Sequence, residues 1–501
     1  MRKRLFYTLI FIYSILFLYA LVLNQGGLTV GSVVFPPPFM SVSELFTVRE
    51  QLYNEKADSL IENYVTEFEE RGNTGDFSSF EVSTPEPMVS VQNGEGGLRA
   101  FFSALLQSSK SQVVRISHFG DSQIEGDRLT SDLRSEFQRT FGGTGLGYIP
   151  LGDPASHISM NYFASKNITK YNVFNHSVPT GGNYGLSGAA FMVRSSYSYS
   201  FDDTLRSEAN TPTDTLPSQE TIQKKTITEY FTEGKVRITI PPSVEYSKLS
   251  LLVQNPVKPV SFSIYDFEKK KSVINTTLSS AVKNEKQGRF VSSIPIPTKS
   301  RSLQLVFDVN ESQLYYGLLL EGEKGVQVDN YALRGHSGGG LMKLNEKVIF
   351  ELNNYLNPSL IIFQFGANTV PFNRSDAQIA YLEQQYLELF MKFKTMFPNT
   401  SFLVVGVGDM AKKSEGTFSS YPQIPRIRDA QKRAALKAGF AFWDLYEAMG
   451  GKNAIISWSQ KGLASNDGHL SLKGSRVIAR EIFNALMKEY GIYLQSIRRV
   501  K

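Results

Sequence analysis

The sequence predicts an α/β fold in which a parallel sheet with helices on both faces is interrupted by an antiparallel β region and preceded by an apolar N-terminal segment. Three observations predict it. The β-forming run Val113-Val114-Arg115-Ile116 turns at Gly120-Asp121-Ser122 into a helical pattern with Leu129, Leu133 and Phe137. After Asp329, apolar strands such as Leu360–Phe365 alternate with amphipathic helices, as in a parallel sheet buried on both faces. Between them, residues 153–325 carry short alternating runs separated by Pro, Asn and Gly, the signature of an antiparallel β-sandwich.

Composition sets the outer bounds. A chain of 501 residues is long enough for several domains. Lys and Arg total 53 against 47 Asp and Glu, a net charge of +6 spread along the chain. Nucleic-acid binding needs a clustered basic stripe, which is lacking, so no nucleic-acid partner is expected. Cysteine is absent, which excludes disulfides, Cys-ligated zinc and thiol catalysis. The five histidines (His118, His157, His176, His336 and His469) never stand at i, i+4 spacing, so neither a His-rich metal site nor a metal is expected.

In chain order, Arg2, Lys3 and Arg4 precede the uncharged apolar run Leu5–Leu23, about long enough to cross a bilayer. The basic flank keeps the N-terminus cytoplasmic and exports the rest. Residues 1–25 therefore read as a membrane anchor, with a cleaved signal peptide as the competing reading. Residues 26–94 read as a stalk helix and linker. They hold Pro36-Pro37-Pro38, a helical pattern from Ser41 to about Arg71, and a stretch rich in Pro, Ser and Gly. A short helix over Leu98–Leu106 then leads into the first strand, in an α/β part spanning residues 95–152. The glycine-rich stretch Phe141–Tyr148 follows a helix instead of opening one. It is therefore read as a loop beside the site, not as a cofactor-binding turn, and no cofactor is expected.

The β region over 153–325 contains runs such as Val236–Ile240, Leu249–Val253 and Leu303–Phe307. Its Tyr and Phe residues suit either core packing or stacking on sugar rings. The α/β pattern resumes over 326–501, with a helix marked by Ile379, Leu382, Tyr386, Leu389, Phe393 and Met396. A strand at Phe402–Val407, a helix at Ala430–Ala438 and a short strand at Phe440–Trp443 follow.

Catalytic groups in such a sheet sit in loops at the C-terminal ends of its strands. Four stretches fall there: Gly120-Asp121-Ser122, Arg334–Gly340, Gly366-Ala367-Asn368, and Asn466-Asp467-Gly468-His469 before the last helix. Each alone reads as an ordinary cap, turn or surface histidine. A serine on a tight strand-to-helix turn is also where an α/β fold exposes a nucleophile, with the following helix directing its free N–H groups at developing negative charge.

The order of these four stretches resembles the SGNH (GDSL-like) hydrolase superfamily, with its flavodoxin-like parallel sheet, over roughly residues 95–490. Phe119–Gly147, Phe442-Trp443-Asp444 and Ala448-Met449-Gly450-Gly451 with Trp458 are similar to the subgroup of bacterial peptidoglycan and polysaccharide O-acetylesterases and O-acetyltransferases. That subgroup also includes members with an inserted β-sandwich. The resemblance implies Ser122 as nucleophile and His469 as general base. It implies an oxyanion hole from the N–H groups of Ser122 and Gly335 and the side-chain amide of Asn368. The family places an Asp three residues before the His; here that position is Asn466, and Asp467 stands two before His469. Asp467 is the carboxylate expected to orient the base, with Asn466 the alternative.

The implied chemistry is attack on an ester, most simply an O-acetyl group on a cell-envelope polysaccharide or peptidoglycan, through an acyl-Ser122 intermediate. Water as second acceptor makes an esterase. A sugar hydroxyl makes an O-acetyltransferase, which needs a membrane-bound acyltransferase partner to deliver acetyl groups. The third reading is a non-catalytic envelope glycan-binding protein on a decayed hydrolase fold. The implied location is the bacterial inner membrane, single-pass, with the catalytic part in the periplasm, or secretion if the N-terminal segment is cleaved.

Overall fold

A computed structural model describes residues 28–30, 33–35, 54, 56–62, 89–107, 112–152, 156–174, 177–178, 183–205, 221–255, 260–278, 291–296, 298–414 and 416–499. The expected membrane anchor and most of the expected stalk and linker lie outside the described residues. Among the described residues no helix is long and apolar enough to cross a membrane. Leu28–Val30 pairs antiparallel with Val33–Phe35, within a small unit of its own. The elements below belong to the second unit, Asn54–Lys412 with Phe418–Lys501.

Five strands, β1 (Val113–Gly120), β2 (Gly325–Ala332), β3 (Leu360–Gln364), β4 (Ser401–Val405) and β5 (Ala441–Trp443), form a parallel sheet in the order β2-β1-β3-β4-β5. This is the flavodoxin-like order. The chain's change of direction across the sheet opens a crevice at the C-terminal ends of β1 and β3. Gly120 of β1 lies opposite Ala332 of β2 and Gln364 of β3, so the loops that follow these strands start level with one another.

Alternation along each strand fills two cores, because successive side chains point to opposite faces. Ile361, Phe363, Phe402, Val404 and Phe442 enter one core with the helices α3 (Glu346–Leu356), α4 (Asp376–Met396) and α5 (Ile424–Ala438). Leu360, Ile362, Leu403, Val405 and Trp443 enter the other with α1 (Gly94–Gln107), α2 (Arg128–Phe141) and α6 (Leu472–Arg499). There Phe137 of α2 meets Phe483 of α6 edge-on, with centroids 5.0 Å apart. A helical segment at 56–62 buries Ala57 and Ile61, and Asn54 Nδ2 donates to the Lys452 carbonyl at 2.7 Å, so this piece packs on the α/β part.

Between α2 and β2 the described residues build a two-stranded hairpin, Ser196–Leu205 with Thr221–Tyr230, and two larger antiparallel sheets, of five and six strands. Val236, Ile238, Leu305 and Phe307 from one share a core with Phe191, Leu251, Val253 and Tyr315 from the other. The glycine-rich stretch is not a loop beside the site. Gly145–Ile149 is a strand paired antiparallel with Asn310–Glu321. Its glycines are there because the chain runs against β2: a Cβ on Gly147 would lie 2.5 Å from an Asp329 carboxylate oxygen.

The two parts are joined by a buried charge cluster. Arg115 of β1 donates through Nη1 to both Asp329 oxygens of β2 at 2.9 Å, through Nη2 to Glu321, and through Nε to the Leu356 carbonyl at 2.8 Å. Asp329 also accepts from the Tyr148 N–H at 3.0 Å and the Tyr331 hydroxyl at 3.2 Å. Breaking such a pair from one side strands a charge in the interior and costs about 3–5 kcal/mol. Asp329→Ala is therefore expected to lower unfolding free energy by that amount in a denaturant titration, and a loss below about 1 kcal/mol contradicts it.

Candidate active site

The chain leaves β1 at Gly120 and turns through Asp121, Ser122 and Gln123. The helix expected directly after the serine does not start there. A 3-10 turn (Glu125–Asp127), with Gly126 at φ 67°, intervenes, and α2 begins at Arg128. Its N-terminus therefore does not contact Ser122 as a cap would. Arg128 instead reaches back, with Nη2 donating to the Ser122 carbonyl at 2.7 Å.

Across the crevice, the loop before α6 presents His469. Its Nε2 lies 2.8 Å from Ser122 Oγ, and its Nδ1 lies 3.1 Å from Asp467 Oδ2. With the proton on Nδ1 held by the carboxylate, Nε2 is left to accept the serine proton. The two-residue spacing suffices because the loop is wound tightly. Asp467 Oδ1 accepts the His469 N–H at 3.2 Å, an Asx-type turn, and Gly468 sits at φ 93°. The Asn466 backbone carbonyl accepts from the Ala411 N–H at 2.7 Å. Partial burial pushes Asp467 up, but hydrogen bonds from the Ser465 hydroxyl and from the His469 backbone and ring outweigh it. The carboxyl is held below its ordinary value.

Asn368 follows β3 in a short 3-10 turn (Ala367–Thr369). Its Nδ2 donates to Asp121 Oδ2 and to the His336 carbonyl, both at 3.1 Å. One side chain thus ties together the loops after β1, β2 and β3. Gly335, just before His336, takes φ 73°, and a Cβ there would meet nothing within 4 Å, so this backbone faces open space. Ser122, His469 and Asp467 are therefore directly bonded, Asn368 joins through Asp121, and Gly335 joins through its neighbour His336.

Sequence reasoning left Asp121 as a possible cap. It is a buried carboxyl that accepts from the Gln123 N–H at 3.0 Å and from Asn368. Burial pushes it up to about 6, against the lowering effect of these bonds and of His469. Two other histidines are structural. His118 bonds Gln364 at 3.0 Å and Thr130 at 3.1 Å, and His336 Nδ1 accepts from the Gly338 N–H at 2.8 Å. Burial lowers both to about 4, so both are neutral at pH 7. Among the described residues no cluster of His, Asp and Glu is placed to hold a metal ion.

No family model matches the chain, and no curated relative matches its sequence. Solved structures do. A peptidoglycan O-acetylesterase aligns at 18% identity over 79% of this chain and 97% of its own, with a TM-score of 0.56. An acetylxylan esterase from Geobacillus stearothermophilus aligns at 16% over 33% of this chain and 74% of its own, with a TM-score of 0.26. A family two carbohydrate esterase from Clostridium thermocellum aligns at 10% over 52% and 94%, with a TM-score of 0.24. The first match is a likeness of fold. It covers more of the chain than the α/β part alone supplies, so it takes in antiparallel strands as well.

A carboxyl raised from 3.8 to about 6 binds a proton in the folded chain that the unfolded chain has already lost, so its contribution to stability declines as pH rises from about 4 to 6. Over that window the wild type is expected to lose about 3 kcal/mol relative to Asp121→Asn, read from denaturant unfolding at pH 4 and pH 7. Parallel pH profiles for the two proteins would contradict the assignment.

Proposed function

We propose that the chain is an SGNH-type serine esterase that removes small acyl groups, most simply acetyl, from a cell-envelope polysaccharide or peptidoglycan. The observation that carries the proposal is the Ser122 Oγ–His469 Nε2 contact of 2.8 Å, backed by Asp467 on Nδ1. In the reaction His469 takes the hydroxyl proton as Ser122 Oγ attacks the ester carbonyl, and the imidazolium returns that proton to the leaving sugar oxygen. Water then repeats the sequence on acyl-Ser122, giving the free acid and the starting enzyme. The tetrahedral oxyanion takes the N–H groups of Ser122 and Gly335 and one N–H of Asn368, each worth about 2.7–4 kcal/mol.

The substrate class is supported by the peptidoglycan O-acetylesterase of like fold. We read the two larger antiparallel sheets as an inserted β-sandwich, expected over residues 153–325 but already entered by the strand Gly145–Ile149, beside a catalytic part made of the flanking α/β elements. We place the enzyme outside the cytoplasm, held by the Leu5–Leu23 segment as a single-pass anchor. Fractionation of cells expressing the full chain tests this: membrane retention is expected, and loss of retention on deleting residues 1–25 is the matching control.

The catalytic reading is tested with a serine-reactive phosphonate and 4-nitrophenyl acetate. Wild-type protein is expected to label at Ser122. Ser122→Ala and His469→Ala are expected to lose about 10⁴–10⁶-fold in kcat. Asn368→Ala is expected to lose about 10²–10³-fold, and Asp467→Ala up to about 10⁴-fold. A folded wild type that neither labels nor turns over defeats the esterase and favours a glycan-binding role. Acetylated product with a chito-oligosaccharide acceptor moves the assignment to an O-acetyltransferase.

A further inference from the structure

We propose that Gln123 is a positioning residue whose side-chain amide clamps the backbone on both sides of His469 and so aims the imidazole at Ser122. The proposal rests on the Ser122–His469 reading above. Gln123 Nε2 donates to the Gly468 carbonyl at 2.8 Å, and Gln123 Oε1 accepts from the Leu470 N–H at 3.3 Å. A primary amide carries its donor and acceptor side by side in one plane. Here it occupies the place that a residue of a neighbouring parallel strand would take, bonding the carbonyl before and the N–H after a single residue. That residue is His469. Two bonds on opposite sides of it fix both the position and the tilt of its Cα, which one bond alone would not.

The His469 loop needs such a tie. Internally it is a small hairpin, in which the Ser465 N–H donates to the His469 carbonyl at 2.8 Å and Ala464 bridges Leu470. Those bonds shape the loop without referring it to β1. Gln123 refers it to the nucleophile's own strand, because the clamp is the next residue after Ser122. The clamp's backbone is fixed in turn, its N–H donating to Asp121 Oδ1 at 3.0 Å. The distance from serine to base is thus set over one peptide unit and one side chain, although the two residues are 347 apart in sequence.

The test uses Gln123→Met, which keeps the length and bulk of the side chain and removes both bonds. A displacement of about 1 Å in a catalytic group costs about 10²-fold in rate. Gln123→Met is therefore expected to lose about 10²-fold in kcat toward 4-nitrophenyl acetate and in the rate of Ser122 phosphonylation. KM and the melting temperature are expected to stay near the wild-type values. Gln123→Glu keeps the acceptor for Leu470 and, when ionised, loses the donor to Gly468, so it is expected to fall between the two and serves if the Met variant does not fold. Either variant reacting at the wild-type rate overturns the clamp, as does a loss that appears only in KM or only in melting temperature. A wild type that does not label at Ser122 overturns instead the esterase reading, and the clamp with it.

Discussion

The buried cluster of Arg115, Asp329 and Glu321 is the constraint on which the architecture depends. Arg115 lies on β1, seven residues before Ser122. Asp329 lies on β2, six before Gly335, and Glu321 ends the long strand Asn310–Glu321 of an antiparallel sheet. A guanidinium cannot shed its charge, so once buried it must find carboxylates in fixed directions. Asp329 is held from both parts of the molecule: by Arg115 and Tyr331 of the parallel sheet, and by the Tyr148 N–H of the antiparallel one. Desolvation offsets much of what such a cluster gains in attraction. We ascribe to it registry: any slip of β2 against β1, or of the antiparallel strands against β2, leaves a charge or an N–H buried and unpaired.

That registry reaches the site because the strands are stiff and short. With Ala332 held opposite Gly120, the loop after β2 arrives where Asn368 can bind the His336 carbonyl. Gly335 immediately precedes His336 in that loop, with its backbone at φ 73°. A fold-level device far from the chemistry therefore decides whether three separate loops meet.

Much of this was legible in the sequence, for a local reason. Leu360–Gln364 reads as a strand buried on both faces because its side chains alternate between two apolar cores, so all five are apolar or end the strand. Ser122, Asn368 and His469 stand out because each follows or precedes a periodic segment at a turn. What was not legible depends on partners distant in sequence. Arg115 finds Asp329 214 residues away and Glu321 206 away, and nothing in the local run Val113–Gly120 marks it as buried. Gln123 carries no local mark of its tie to Gly468, 345 residues away. The glycine-rich stretch was misread because its glycines answer to close contact with β2, which no spacing rule reports. Asp467 stands one residue off the family's spacing, and Gly468 at φ 93° turns the chain so that its carboxylate still lies 3.1 Å from His469 Nδ1.

The two carboxylates nearest the serine show how burial sorts function. Asp467 is exposed and bonded by several donors, so it stays ionised and suits a proton held on Nδ1. Asp121 is buried and raised, and it spends its oxygens on Gln123 and Asn368. On the esterase mechanism proposed above, the second bond bears on catalysis. A primary amide nitrogen has two hydrogens, and Asn368 gives one to Asp121 and one to the His336 carbonyl. A neutral ester oxygen is no better an acceptor than that carbonyl, so it gains little by displacing it. An oxyanion is a much stronger acceptor and wins the hydrogen as charge develops. On that proposed mechanism, an Asn368 whose donors are already occupied would contribute little to binding the substrate and more to binding the transition state, which is the difference that raises kcat.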